Sequence, residues 1–410
     1  MPSLKVILQT KWHLLRSRLS PMQHTTIISP AQCCPTEILL CIIDELWSSA
    51  SAGVHHPRWY SDPEHELVFA KERLLATKNA SQTCRRWYAS VAPILYQKPL
   101  IASLNALACM RSTLRHRSDL VRYVQQLIIV VPFVPKSRSK KYIAHLKTII
   151  TSCHSLSYIL VYYRLGDLLQ LHVLQSVLNY SPIRSLFVTK YSGNVPPRTV
   201  FDPSITTPMT NLETLTVCNM WLSAHLEFPF FPNLKKMSFL GCGYPHRIRD
   251  AKLAITSTQF PSLEILQIHI WYPGIVTADV ECMRRLRRFH LLSRQGAHTW
   301  MDWPKGSVVE DIAMLYNGFE DALEIIPGLP FSLKQITVVI AELLHPGILE
   351  GIETFIREVN RHHSVSFRIA LSFWPSERTE TELSNVSRDL EKSLHPIQVS
   401  PVERECRAPL

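Results

Sequence analysis

None of the ten cysteines in this 410-residue chain belongs to a C-x-x-C pair. The common zinc-ribbon and dithiol-redox spacings are therefore missing. No signal-peptide pattern precedes the cysteines, since Lys11, Arg16 and Arg18 interrupt the apolar run, so reduced thiols in the cytosol or nucleus are expected rather than disulfides. No uninterrupted apolar segment approaches the length of a membrane span, so no membrane partner is expected and the chain should be soluble or partner-bound. Catalytic signatures are lacking too: G-x-x-x-x-G-K-[ST], H-E-x-x-H and G-x-S-x-G do not occur. His55-His56 and His362-His363 are adjacent pairs rather than i, i+4 ligands, and Cys33-Cys34 has no second pair at zinc-finger spacing. No catalytic residue, metal or cofactor is read from the sequence. The Asn-x-Ser triplets at Asn79, Asn179 and Asn385 lack a secretory context and are read as accidental.

Acidic residues are missing from the first 36 positions, which hold Lys5, Lys11, Arg16 and Arg18. That composition superficially matches a mitochondrial presequence, but residues 1–30 are read as a disordered basic arm. Over the whole chain 44 basic residues face 33 acidic ones, a net charge of +11. The excess is uneven. Arg111, Arg115, Arg117, Arg122, Lys136, Arg138, Lys140, Lys141 and Lys147 stand against Asp119 alone, and Arg284, Arg285, Arg287 and Arg288 form a second knot. Such patches can hold nucleic acid or an acidic peptide. Aromatics are not interleaved as a base-stacking surface requires, which argues against nucleic acid, and Lys136–Lys141 reads as a solvated loop between a strand and a helix.

Two segments near the N-terminus have helical period. Pro35 has φ fixed near the helical value and Glu37 adds a favourable charge, so a helix is expected to begin there. Ile38, Leu39, Ile42, Ile43 and Leu46 fall on one side of it, and Ala80, Cys84, Trp87 and Val91 make a second stripe to face it, with Arg85 and Arg86 alongside. By their residues, Cys34-Pro35-Thr36-Glu37-Ile38 and Thr83-Cys84-Arg85-Arg86-Trp87 through Ala92-Pro93-Ile94-Leu95-Tyr96, these segments resemble the F-box of ubiquitin-ligase receptors, most closely its fungal form. Cys34 departs from the usual Leu, and Trp47 to about Lys71 is an insertion read as a surface loop. An ordinary helical hairpin with a buried Trp is the plainer alternative. The resemblance implies that Pro35, Glu37, Ile38, Leu39, Ile42, Leu46 and Trp87 form a surface for a Skp-type adaptor, and hence a link to a cullin-RING ligase.

After this module the sequence repeats. Nine stretches fit L-x-x-L-x-L with apolar substitutes: Val124/Leu127/Ile129, Leu156/Ile159/Val161, Ile183/Leu186/Val188, Leu212/Leu215/Val217, Leu234/Met237/Phe239, Leu263/Leu266/Ile268, Leu286/Phe289/Leu291, Val309/Ile312/Met314 and Leu333/Ile336/Val338. Their spacing lies mostly in the leucine-rich-repeat range. Met-Thr-Asn211, Phe-Pro-Asn233, Phe-Pro-Ser262 and Pro-Phe-Ser332 each stand directly before a repeat's first residue. Stretches such as Tyr142–Ile150 and Leu168–Leu178 have helical period and should cover the outer side, and the consensus-closing Asn or Cys is recognisable only as Cys242. The expected fold class is thus α+β / α/β: an N-terminal helical F-box over 31–100, with its insertion at about 47–71, then a leucine-rich-repeat-like solenoid over 101–374 with a curved parallel sheet and outer helices, and a C-terminal helix and tail over 375–410. An α/β domain with parallel strands is the alternative architecture, and an α/β enzyme with an unrecognised site the alternative class.

In a strand, side chains alternate between faces, so the positions between the inward consensus residues should line the concave face. They are Tyr158, Phe187, Thr214, Thr216, Lys236, Ser238, Ile265, Gln267, Arg288, His290, Asp311, Gln335 and Thr337. This mixture predicts a protein target with an apolar anchor toward the first half of the sheet and an acidic or phosphorylated stretch near Lys236, Arg288 and His290. The F-box resemblance makes the whole a non-catalytic receptor subunit in the cytoplasm or nucleus; a repeat scaffold whose F-box has drifted from adaptor binding is the other reading.

Overall fold

The apolar positions of the nine repeats line up strand against strand. In the computed structural model, which describes residues 35–39, 41, 71, 74–131, 136–163, 183–190, 200–201, 210–222, 225–243, 252–270, 275–293, 303–316, 328–340, 346–363, 365–371 and 398–400, the first strands are β1 (Leu100–Ile101), β2 (Gln126–Val131), β3 (Tyr158–Tyr163), β4 (Ser185–Lys190), β5 (Val200–Phe201), β6 (Thr214–Cys218), β7 (Trp221–Leu222) and β8 (His225–Leu226). They continue as β9 (Lys236–Cys242), β10 (Lys252–Ile255), β11 (Ile265–Ile270), β12 (Ile275–Ala278), β13 (Arg288–Ser293), β14 (Asp311–Tyr316), β15 (Gln335–Ile340), β16 (Ser366–Leu371) and β17 (Gln398–Ser400). Twelve of these form one parallel sheet in the order β1-β2-β3-β4-β6-β9-β11-β13-β14-β15-β16-β17. The chain therefore advances one strand per repeat, as a solenoid does.

Register follows the consensus. Leu127, Ile159, Leu186, Leu215, Met237, Leu266, Phe289, Ile312 and Ile336 are successive cross-strand neighbours, and Ile129, Val161, Val188, Val217, Phe239, Ile268, Leu291, Met314 and Val338 make the next row. Both rows are buried in one continuous core. Slipping any strand by one residue would turn its whole apolar set to the opposite face, which makes this register strongly specified. Cys242 is buried, and its thiol donates to the Val217 carbonyl at 3.3 Å, the stitching expected of the consensus-closing residue. It reaches inward past a register shift between β9 and β11, where Gly241 takes φ 61°, a left-handed backbone that a side chain would strain.

The lead-in phrases stitch the repeats together. Asn233 Nδ2 donates to the Thr210 carbonyl at 2.6 Å, Ser262 Oγ to Pro232 at 2.6 Å, and Ser332 Oγ to Val309 at 2.8 Å. The phenylalanines of two of these phrases stack in the core: Phe231 and Phe260 are 5.9 Å apart and nearly parallel, and Phe228 meets Phe260 edge-on at 5.2 Å. Ser332→Ala removes one stitch and is expected to cost about 1 kcal/mol, read as a lower urea midpoint.

Among the described residues the outer layer is only partly helical, so the expected outer helices account for part of it. At its two ends the core is closed by helices. With α1 assigned to Arg85–Gln97, these are α2 (Leu104–His116), α3 (Lys136–Ser152) and, after the short α4 (Val280–Arg285), α5 (Pro346–His362). Over the middle repeats the layer contains short parallel strands instead, β5 beside β7 and β10 between β8 and β12. Leu212 to Leu234 and Leu263 to Leu286 span only 22 and 23 residues, which leaves little chain for a helix once strand and turns are formed, and Ile275-Val276-Thr277 favours extension. A correction concerns Lys136–Lys141, which lie in the opening turns of α3 rather than in a loop. A second is at the C-terminus, where 398–400 add strand β17 to the sheet beside β16. The stretch Leu168–Leu178 and the rest of 375–410 lie outside the described residues.

At the N-terminal end, residues 36–39 are helical, and the Leu39 N–H donates to the Pro35 carbonyl at 3.0 Å. The second stripe does not run through one helix as expected. Residues 74–81 are helical, Gln82 and Thr83 turn, and α1 begins after an extended Cys84. The Ser81 hydroxyl donates back to the Lys78 carbonyl at 2.7 Å, a bond that competes with helix continuation. The stripes still meet: Leu39 and Val91 are buried together, with Ala80, Trp87 and Ile94 packed on them, in a cluster separate from the repeat core. Ile42, Leu46, the arm over 1–30 and the insertion up to residue 70 lie outside the described residues.

Candidate functional site

The sheet face opposite the repeat core, the one expected to be concave, changes character along the sheet. Over β2, β3, β4 and β6 it is apolar and closed, because Ile128, Val130, Leu160, Tyr162, Phe187 and Cys218 form a buried cluster with Tyr158 packed on it. Phe187 is only 8% exposed, so the expected open apolar anchor is corrected to a second small core. Thr216, Ser238 and Thr337 are buried as well, while Thr214, Gln335, Lys236, Ile265, Gln267, His290 and Asp311 are partly open and Arg288 is exposed. The accessible polar part of the predicted site thus centres on β9, β11, β13 and β14.

There, register brings two rows together: Lys236, Ile265, Arg288 and Asp311 at the strand starts, and Ser238, Gln267 and His290 two residues on. The second row is a hydrogen-bonded chain. Ser238 Oγ donates to Gln267 Oε1 at 2.9 Å, Gln267 Nε2 lies 3.1 Å from His290 Nδ1, and His290 Nε2 lies 3.3 Å from Asp311 Oδ2. Because the Gln267 amide nitrogen can only donate, Nδ1 accepts and the imidazole proton sits on Nε2, facing Asp311. Arg288 Nε approaches the same Asp311 oxygen at 3.8 Å. The other oxygen, Oδ1, is buried without a hydrogen-bond partner among the described residues.

Lys236 has no hydrogen bond or ion pair among the described residues. Burial, and then the neighbouring Arg288 charge, hold its ammonium below the usual lysine range. An unpaired, partly desolvated cation beside a guanidinium is suited to receive an anionic group. Nucleophilic chemistry finds less support, because Ser238 is fully buried and donates to Gln267 rather than to the imidazole, whose two nitrogens are both engaged.

The residue one position before each strand start escaped the sequence reading. Arg184, Glu213, Lys235, Glu264, Arg287, Glu310 and Lys334 alternate in sign across seven successive repeats. Arg184 and Lys235 meet Glu213 at 3.6 and 3.4 Å, Arg287 meets Glu264 at 3.9 Å, and Lys334 meets Glu310 at 2.8 Å. These pairs are exposed and screened by solvent, so each adds little to stability. Their arrangement was legible from the second position of each repeat motif. They also disperse the Arg284–Arg288 knot, since Arg284 pairs with Glu281 and Arg285 donates to the Pro261 carbonyl. Among the described residues of β9, β11, β13 and β14, Lys236 is left as a cation without an ion pair on the sheet face opposite the core.

No family model matches the chain, and no curated protein matches its sequence. Among solved structures it is similar to a Bacteroides fragilis protein from a structural genomics programme, at 14% identity and a TM-score of 0.30, over 71% of this chain and 68% of that one. A likeness of that size carries no argument. Among the described residues no helix is long and apolar enough to cross a membrane.

Proposed function

We propose that this chain is the substrate-recognition subunit of an SCF-type cullin-RING E3 ubiquitin ligase, acting in the cytoplasm or nucleus. Its N-terminal helical segments dock a Skp-type adaptor, and its repeat sheet holds a target protein near the charged-thioester donor that the rest of the complex brings. The chain itself performs no chemistry; it raises the local concentration of target beside the reacting partner. The observation that carries this reading is the small cluster of Leu39, Val91, Ala80, Trp87 and Ile94, built from the two F-box-like segments and separate from the repeat core. Ile38, on the same first turn, remains 39% exposed and is available to a partner. A scaffold that has lost adaptor binding would share this architecture, and adaptor capture separates the two.

For the target, the accessible chemistry of Lys236, Ile265, Arg288 and His290 favours an acidic or phosphorylated segment lying across β9 to β14. Lys236→Glu with Arg288→Glu reverses both charges that such a segment meets. Affinity purification of the double variant is expected to lose the target at least about tenfold, the effect of removing one charged hydrogen bond or more, while adaptor capture and the circular-dichroism spectrum stay unchanged. Retention of every interactor would move target recognition off this face.

A further inference from the structure

Away from that sheet face, α2 and α3 pack side by side without an acidic residue in either helix. Where they meet, Arg111 Nη1 lies 2.8 Å from His145 Nδ1. A guanidinium has only donors, so Nδ1 accepts and the ring proton sits on Nε2. That Nε2–H is buried without an acceptor among the described residues, on a side chain only 7% exposed. Three residues earlier, Tyr142 is 2% exposed, and its hydroxyl also lacks a partner among the described residues. Residues three apart are neighbours on a helix surface. Burial, then Arg111 and Lys141, hold the His145 imidazole below its usual protonation range.

The geometry points to a binding site for a phosphate-class oxyanion between α2 and α3, with Arg111, Tyr142 and the His145 Nε2–H as hydrogen-bond donors and Lys141 as a second fixed charge. This site is independent of the ligase reading. A water would satisfy one or two of the buried donors, whereas a tetrahedral dianion offers acceptors to all of them and attracts the two neighbouring cations, the partly exposed Arg111 and the exposed Lys141. The hydroxyls of Thr148, Thr151 and Ser152 on α3 donate to carbonyls of their own helix and are not recruited. Once Arg111 turns toward the anion, Nδ1 is released to take up a proton, so binding and protonation of His145 are linked. Arg111 from α2 and Lys141 from α3 are the charges that act on this imidazole.

The test is calorimetric titration of the full chain with sulfate, against chloride at matched ionic strength, because sulfate keeps its charge across the range used. Saturable binding is expected, tightening from about pH 8 to about pH 6 as His145 becomes able to protonate. Arg111→Gln should weaken it about tenfold or more, the equivalent of one charged hydrogen bond. Lys141→Gln alters an exposed side chain and should also weaken binding, so the idea stays testable if Arg111→Gln fails to fold. A second arm replaces sulfate by O-phosphoserine: binding of equal strength assigns the site to a phosphate ester, and its loss assigns it to the free ion. No saturable binding beyond chloride, or unchanged affinity in both variants, would overturn the proposal. So would a pH-independent affinity in the wild-type chain.

Discussion

Phe260→Ala is expected to lower the stability of the repeat domain by about 3–5 kcal/mol, the range for emptying a buried phenylalanine site. Phe260 is 1% exposed, with Phe231 stacked on it and Phe228 at its edge. Phe228 in turn touches Phe239 at 5.9 Å, so the cluster ties two lead-in turns to the consensus core of β9. Losing the ring removes apolar area and two aromatic pairs at once. The opposite faces of β9 and β11 carry Ser238 and Gln267, and loosening the stack should also disturb that chain of hydrogen bonds. Urea unfolding followed by fluorescence should show a clearly lower midpoint, with Phe260→Leu in between. Equal midpoints for Phe260→Ala and wild type would mean that the stack is not a structural centre.

The second large effect concerns the N-terminal module. Pro35→Ala with Ile38→Ala is expected to abolish capture of a Skp-type adaptor while leaving the repeats folded. Pro35 restricts the backbone where the first helical hydrogen bond is accepted, and Ile38 is the large aliphatic side chain exposed on that turn. Burying an aliphatic side chain of that size in an interface stabilises it by about 1.5–3 kcal/mol. Losing that, with a looser helix start, is enough to take a micromolar complex below detection in a pull-down. Leu39→Ala should fail in a different way, because Leu39 is 1% exposed and packs on Val91: the module itself should unfold, measured as protease cleavage near α1.

The repeats were legible because both their signals are local. A period of two marks a strand, and a Leu three residues ahead marks the turn into it, so the nine consensus stretches coincide with the register. Strand β16 escaped because Ser364 stands where the other repeats have an apolar first residue, although Leu394-x-x-Ile397-x-Val399 fits the pattern that ends in β17. The start of α3 escaped because Lys136–Lys141 have no apolar period, and only packing of the turns that follow reveals the helix. For the site, alternation correctly assigned Lys236, Gln267, Arg288, His290 and Asp311 to one face, and register made them neighbours. Alternation does not say whether a face is covered, which is why Phe187 looked like an open anchor and is instead buried with Leu160 and Tyr162. Side-chain direction within the row, such as the Gln267 amide choosing the His290 tautomer, depends on contacts between residues 23 apart and has no local sequence signal.

The central claim is that this chain joins an adaptor at one end and a target along its sheet, and the adaptor contact is its most direct test. Purified Skp-type adaptor should be titrated into the purified 410-residue chain by calorimetry, with the Pro35→Ala/Ile38→Ala variant in parallel. The account predicts a saturable one-to-one complex for the wild-type chain and no detectable heat for the variant, with both proteins sharing the same unfolding midpoint for the repeats. Absence of any complex with the wild-type chain, or an equally tight one with the variant, would contradict it.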